Sequence, residues 1–385
     1  MLRFLINASS LDKPPPPFYP PFMDIPLSPA QEEAIRHAST AARALLSLAD
    51  SPIEDLLAKH GLSRLHLDEA ETAIRERARV VVHFHPDRVG TNGLSVAQSL
   101  STSGLFQNQF ETGLSNGSLT PFLGGPRDTW EKQLFGSVYQ QPHLAASERP
   151  KYGALDLTGF SDGPAPRFGS CYLRLKPAVS RRCTFSDRDS YLEPSIYGTF
   201  DCLHPIIATL LLRTRTDHTI LGIPNPGVPD LLKLFTRISN NPVNFASRFG
   251  RTLDDYIEAQ IHGPIRLRED VEALVADPSF RDTKIEHWFE SICSRFDVAL
   301  DWHGGFQLEA HEVPPGFRGP RIPVLAQRVA DHDLITAAAI GRAAVSLTRN
   351  RESWLDWGSY EETLQHLKQL WHVLAFYGRP LVPPT

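Results

Sequence analysis

His83-Phe84-His85-Pro86-Asp87-Arg88 packs two imidazoles, a carboxylate and a guanidinium together, directly after the β-branched run Val80-Val81-Val82. An apolar strand that stops in such a cluster leaves its polar groups at a sheet end. A rigid scaffold there can hold side chains facing a cleft. Far along the chain, Tyr256-Ile257-Glu258-Ala259-Gln260-Ile261 alternates as a strand does and carries one acid, Glu258, in its middle. A lone carboxylate on a strand is a candidate for chemistry or a solvent-facing strand acid. The histidines admit a second chemistry. His83 and His85, two apart on a strand, point the same way and could form a metal pair, with His143, His204, His218, His262 or an Asp completing it. No third ligand stands near them in sequence, and eight βα units of a hydrolase barrel are not visible. We therefore expect no bound metal and keep a metal-dependent hydrolase as the alternative. A third reading is structural: the histidine and arginine tie a strand end to a loop.

The elements that must position these residues fall into regions. Residues 1–27 form a Pro-rich lead, with Pro14 to Pro17 followed by Phe18-Tyr19-Pro20-Pro21, which cannot be helix and reads as disordered. Residues 28–79 read as helical. Ser28-Pro29 opens a helix over 28–50, Ser51-Pro52 a second over 51–60, and Asp68 a charged third over about 67–79. From 80 to 285 short apolar alternations, such as Tyr152–Leu157 and Cys171–Leu175, alternate with polar loops and predict an α+β core of mixed or antiparallel strands. The polar stretch 89–130 is too long for an idle connection and is expected to be a functional loop. Residues 203–213 are a buried apolar run, and Asp270–Ala276 a short helix or strand that turns at Pro278. The stretch 286–385 reads as helical, with helices at about 283–296, 326–347 and 359–377.

Composition narrows the functional classes. The chain has 385 residues, 41% of them apolar, enough to bury a sizeable core. Its net charge of −5 gives no electrostatic reason to expect nucleic acid. Cys171, Cys183, Cys202 and Cys293 show no CxxC spacing, so they read as idle thiols in a reducing compartment. No apolar run approaches the ~20 residues that span a bilayer, and no signal peptide is visible. The expectation is a cytoplasmic protein with no membrane or nucleic-acid partner.

Two resemblances sharpen the reading. The segments His83–Arg88, Gln109–Gly117, Gly124–Glu131 and Arg167–Cys171 resemble an uncharacterised microbial domain family, over about residues 65–290, with no activity to transfer. Glu258 to Asp277 is similar to the last catalytic strand of ADP-ribosyltransferase-like folds, where a strand acid precedes a turn such as Gly263-Pro264 and an apolar element such as Val271, Leu274 and Val275. That fold uses a histidine or arginine on an early strand, a serine or tyrosine on a middle one and a glutamate on a late one. The order here is His83 or His85, then Tyr152 or Ser103, then Glu258. Ser101-Thr102-Ser103 resembles the Ser-Thr-Ser motif of those folds. Tyr256 stands where arginine-modifying members carry Gln or Glu, which counts against arginine as the acceptor.

The resemblance implies NAD as substrate and a protein or small-molecule acceptor. His83 or His85 would orient the cofactor, Tyr152 would stack on nicotinamide, and Glu258 would stabilise the ribosyl cation. Arg88 or Arg127 would pair with the pyrophosphate, while Gln109, Glu111 and Asn116 would bind substrate from the loop. The segment from Ala73 through Arg88 also resembles the helix and His-Pro-Asp loop of J-domains, but a valine triplet interrupts that helix. A non-catalytic module, with 89–130 as a recognition loop, is a further alternative.

Overall fold

A computed structural model of the protein describes residues 26–114, 121–238 and 253–381; Asn116 and most of the proline-rich lead lie outside them. The described chain opens with α1 (Pro29–Ala44), α2 (Leu46–Lys59) and α3 (Arg64–Arg77). Ser28 caps α1 by accepting from Gln31 N, the Gln31 side chain bonds back to Ser28 N, and Pro29 takes the first helical position. The expected start at Ser51-Pro52 is not a helix start. The break falls at Leu45, and Pro52 lies inside α2. That helix tolerates the hydrogen bond Pro52 removes because Ile53, Leu56 and Leu57 are anchored in the core.

Strands β1 (Arg79–Phe84), β2 (Lys151–Asp156), β3 (Cys171–Leu175), β4 (Cys183–Ser186), β5 (Tyr197–Thr199), β6 (Ile257–Ile261), β7 (Val271–Ala276) and β8 (Ala299–Trp302) form one sheet. Their order is β8-β7-β3-β1-β2-β6-β4-β5. β7 and β8 run parallel and the other neighbours antiparallel, so the fold is α+β with a large mixed sheet. β2 lies between β1 and β6, which makes the strands of His83, Tyr152 and Glu258 consecutive. The edge strand β8 comes from the stretch expected to be helical.

The period of two divides the sheet into unlike faces. Val80, Val82, Phe84, Leu155, Leu173, Leu175, Phe185, Ile257, Ala259 and Ile261 join the main core. The opposite face carries Val81, Ala154 and Tyr172 beside the buried polar residues His83, Thr184, Ser186, Glu258 and Gln260.

The described residues of 89–130 do not form one long open loop. The stretch holds α4 (Val96–Ser103), α5 (Gln109–Thr112) and α6 (Pro126–Phe135). Two of its residues serve as caps: Ser95 with Gln98, and Asn108 with Glu111, form capping boxes. The apolar run at 203–213 is α7 (His204–Arg213), followed by α8 (Val228–Thr236) and the one-turn α9 (Leu267–Asp270) leading into β7. Next come α10 (Lys284–Phe296), α11 (Ile322–Val329), α12 (Ala337–Arg349) and α13 (Tyr360–Tyr377). The single helix expected over 326–347 is thus two. His332 and Asp333 take left-handed φ values of 51° and 66°, and Leu334–Thr336 pairs with Gln307–Glu309. Among the described residues no helix is long and apolar enough to cross a membrane.

Gly341 inside α12 shows how the helices clamp the strand end. A mid-helix glycine is worse than alanine by roughly 0.5–1 kcal/mol. Here an added Cβ would fall 1.2 Å from Oδ2 of the buried Asp87. Burial pushes the Asp87 carboxyl up to about 6, against the pull of Arg88 and Arg342. Gly341→Ala is therefore expected to destabilise by about 1–3 kcal/mol through overpacking, where helix propensity alone predicts a gain. Thermal unfolding reads the sign, and a raised midpoint would show that Asp87 does not pack there.

Candidate active site

Glu258 sits on the polar face of β6 with Ala154 opposite it on β2 and Ser186 opposite it on β4. Its side chain is buried, and both oxygens are engaged. Oε2 accepts from Ser190 N at 3.2 Å and Ser190 Oγ at 3.4 Å, while Oε1 accepts from Gln260 Nε2 at 2.9 Å. Burial pushes the carboxyl up to about 8, the nearby Asp189 adds to the rise, and the Gln260 and Ser190 bonds oppose it.

Behind Glu258 a chain of hydrogen bonds has one consistent proton assignment. Tyr139 donates to His262 Nδ1 at 2.7 Å, and His262 Nε2 donates to Thr184 Oγ1 at 3.1 Å. Thr184 then donates to Gln260 Oε1 at 2.8 Å, which leaves the Gln260 amide facing Glu258 and Ser186. Burial, with Arg182 and Lys151 nearby, pushes His262 down to about 3, so it stays neutral as this assignment requires. The network holds the carboxyl group in place before any ligand arrives. Gln260→Leu removes the donor to Glu258 and leaves the Thr184 hydroxyl proton without its acceptor. Glu258 should then titrate higher still, which carboxyl NMR titration reads, while stability falls by about 1–3 kcal/mol. A lowered thermal midpoint with an unmoved Glu258 titration would make Gln260 structural only.

The two histidines separate in role. His83 Nε2 accepts from Ala165 N at 3.3 Å, so Nδ1 carries the proton and donates to Gly169 O at 3.1 Å. That is the structural tie of strand end to loop, and it engages the lone pair a metal would need. Among the described residues no third ligand atom groups with His83 and His85. His85 lies just past β1, half-buried, with its ring edge-on to Trp371 at 5.1 Å. Burial, then Arg88 and His83, hold it well below the usual histidine range, so it is neutral.

Two compartments meet at His83, Gln109 and Tyr152. The first, about 270 Å³, is lined by His85, Arg88 and Glu111 together with Phe106 and several amides and hydroxyls. The second, about 250 Å³, holds Glu258, Arg127, Asp189, Tyr256, Arg167 and Arg318. The Tyr152 hydroxyl donates to Glu131 Oε1 at 3.2 Å, and the Arg127 guanidinium lies over Trp130 at 5.6 Å. Glu111 Oε2 is committed to capping Asn108 N at 2.8 Å. Ser103 stands apart from the cleft. It is exposed at the end of α4, where its hydroxyl bonds Ser99 O, because Ser101-Thr102-Ser103 is helix and not strand.

Residues 79–377 match the family model described as "Protein of unknown function (DUF3626)". The chain belongs to the DUF3626 family. No curated protein matches it. The DUF3626 match begins at the first residue of β1 and ends at the last of α13, so it takes in the whole sheet and both compartments. The helices α1 to α3 fall outside it.

Within the DUF3626 region, several residues that line the compartments or hold Glu258 escape the sequence reading. Gln260 was within reach, two residues after Glu258 on the same strand face. Gln365, Lys368, Gln369 and His372 of α13 line the second compartment, and their i, i+3, i+4, i+7 spacing marks a polar stripe opposite the apolar one. Asp189 and Ser190 carry no such signal, being a turn brought to Glu258 by tertiary packing.

Proposed function

We propose that the sheet is an ADP-ribosyltransferase-like core and that the protein transfers ADP-ribose from NAD to a protein or small-molecule acceptor. One observation carries the reading: His83, Tyr152 and Glu258, from three neighbouring strands, line the second compartment together, and Tyr152 and His83 also line the adjoining first compartment, where His85 lies. When the nicotinamide–ribose bond breaks, nicotinamide leaves with the bonding pair and positive charge develops on the ribose. The Glu258 carboxylate opposes that charge, already oriented by Gln260 and Ser190, and can accept from the 2′-hydroxyl. The Tyr152 ring offers a stacking face, Arg127 a guanidinium for the pyrophosphate, and neutral His85 a hydrogen bond for the second ribose. The acceptor nucleophile then bonds the ribose carbon and gives up its proton. A ligand that binds only the native state raises its stability by mass action, about 2.7 kcal/mol at a hundred times Kd. NAD at millimolar concentration should therefore raise the thermal midpoint, and a flat response overturns the proposal.

A further inference from the structure

The C-terminal helix closes the Glu258 compartment with groups that the reaction above leaves unused. α13 buries Leu367, Leu370, Trp371 and Leu374 in the core and turns Lys368 and His372 to the cleft. Arg167, from the turn Pro166–Phe168, and Arg318, held at φ 64°, line the same space. Three cations thus come from three separate elements. Asp254, which is exposed, ion-pairs with Arg167 and lies 4.0 Å from Arg318, and Asp189 lies 3.9 Å from Arg167, so the three cations outnumber the two carboxylates paired with them. Burial first, then Arg167, Arg127 and Arg88 nearby, push Lys368 down to about 8, and Asp189 opposes the shift only in part. His372 is 3% exposed, and neither ring nitrogen has a partner. The Arg167 Nε is buried and unpartnered as well. Buried donors left unsatisfied are destabilising, so a group that answers them should bind there.

We propose that Arg167, Arg318, Lys368 and His372 form a binding site for a phosphate group. A single carboxylate is satisfied by one guanidinium fork, whereas cations converging from three elements suit a group with several charged oxygens. The imidazole adds a neutral N–H that does not add to the crowding. The phosphate comes either from the dinucleotide itself or from a phosphorylated acceptor. Only that choice of source rests on the proposed reaction; the anion site does not.

Calorimetric titration of the full chain with inorganic pyrophosphate, NAD and nicotinamide riboside tests the site. Pyrophosphate should bind the wild type, and Lys368→Gln with Arg318→Gln should weaken it at least about tenfold. Lys368→Arg should keep most of the affinity, which separates lost charge from lost packing. His372→Phe, which keeps an aromatic ring but no donor, should weaken binding by several-fold. Competition between NAD and pyrophosphate would assign the phosphate to the donor, and simultaneous binding would assign it to the acceptor. Pyrophosphate binding that depends on Lys368 and Arg318 while NAD fails to bind keeps the site and removes the NAD reading. No pyrophosphate binding, or binding indifferent to the double variant, overturns the site whatever NAD does.

Discussion

Glu258→Gln is expected to lower nicotinamide release from NAD by roughly 10²-fold or more, because it keeps the side chain's shape and removes the charge. The wild-type pH profile should show the same group. In the unliganded protein burial, with Asp189 beside it, pushes the Glu258 carboxyl up to about 8, which favours the protonated form at neutral pH. Only the anion opposes a ribosyl cation. It follows that kcat/KM, which reports the free enzyme, should rise with pH through about 8 and then level. A bound cationic nicotinamide ring favours the anion, so kcat should level at lower pH. Stability runs the other way. The folded pKa of Glu258 lies above its ordinary 4.5, so its contribution is present in full below that value and is lost as pH rises through 8. Glu258→Gln should flatten that part of the stability curve. If the variant turns over like the wild type, or if kcat/KM is level from pH 6 to 9, Glu258 is a bystander.

Arg149→Met should produce the largest loss of stability, about 3–5 kcal/mol. Arg149 is 2% exposed, pairs with Asp128 at 2.6 Å and Glu131 at 2.5 Å, and lies over the Phe110 ring at 4.1 Å. It also donates to Tyr139 O at 2.7 Å. Methionine keeps much of the stem's volume but leaves two buried carboxyls without their counter-charge. Such a loss is a large share of the ~5–15 kcal/mol that holds a typical native protein together. Burial already pushes Glu131 up to about 7, so protonation can relieve part of the penalty. The deficit should therefore shrink between pH 7.5 and 5.5 in chemical denaturation. A loss below about 1 kcal/mol, equal at both values, would mean that water reaches the pair. NAD binding should weaken too, since Glu131 holds the Tyr152 hydroxyl.

The residues that lead to the cleft were legible where local pattern governs. Alternation places Glu258 in mid-strand, and the valine run announces the strand that ends at His83. The order of strands was not legible, because pairing of β2 between β1 and β6 is set by long-range packing. His83 could be weighed as a tie but not recognised as one, since its partners Ala165 and Gly169 come from a distant turn. The Gly, Ser and Asn residues of 89–130 suggest a loop, yet several of them cap helices too short to show a period. α13 was legible as a helix, but nothing local marks its polar stripe of Gln365, Lys368, Gln369 and His372 as facing a cleft.

The position of α13 also bears on when the protein can act during its own synthesis. Lys368 and His372 follow Glu258 by roughly a hundred residues, and translation proceeds at about 5–20 residues per second. For several seconds a nascent chain can own its strands, its carboxylate and both histidines while one wall of the cleft does not yet exist. Any activity that depends on that wall begins only after α13 has left the ribosome and docked, by which time the rest of the chain has had the chance to fold.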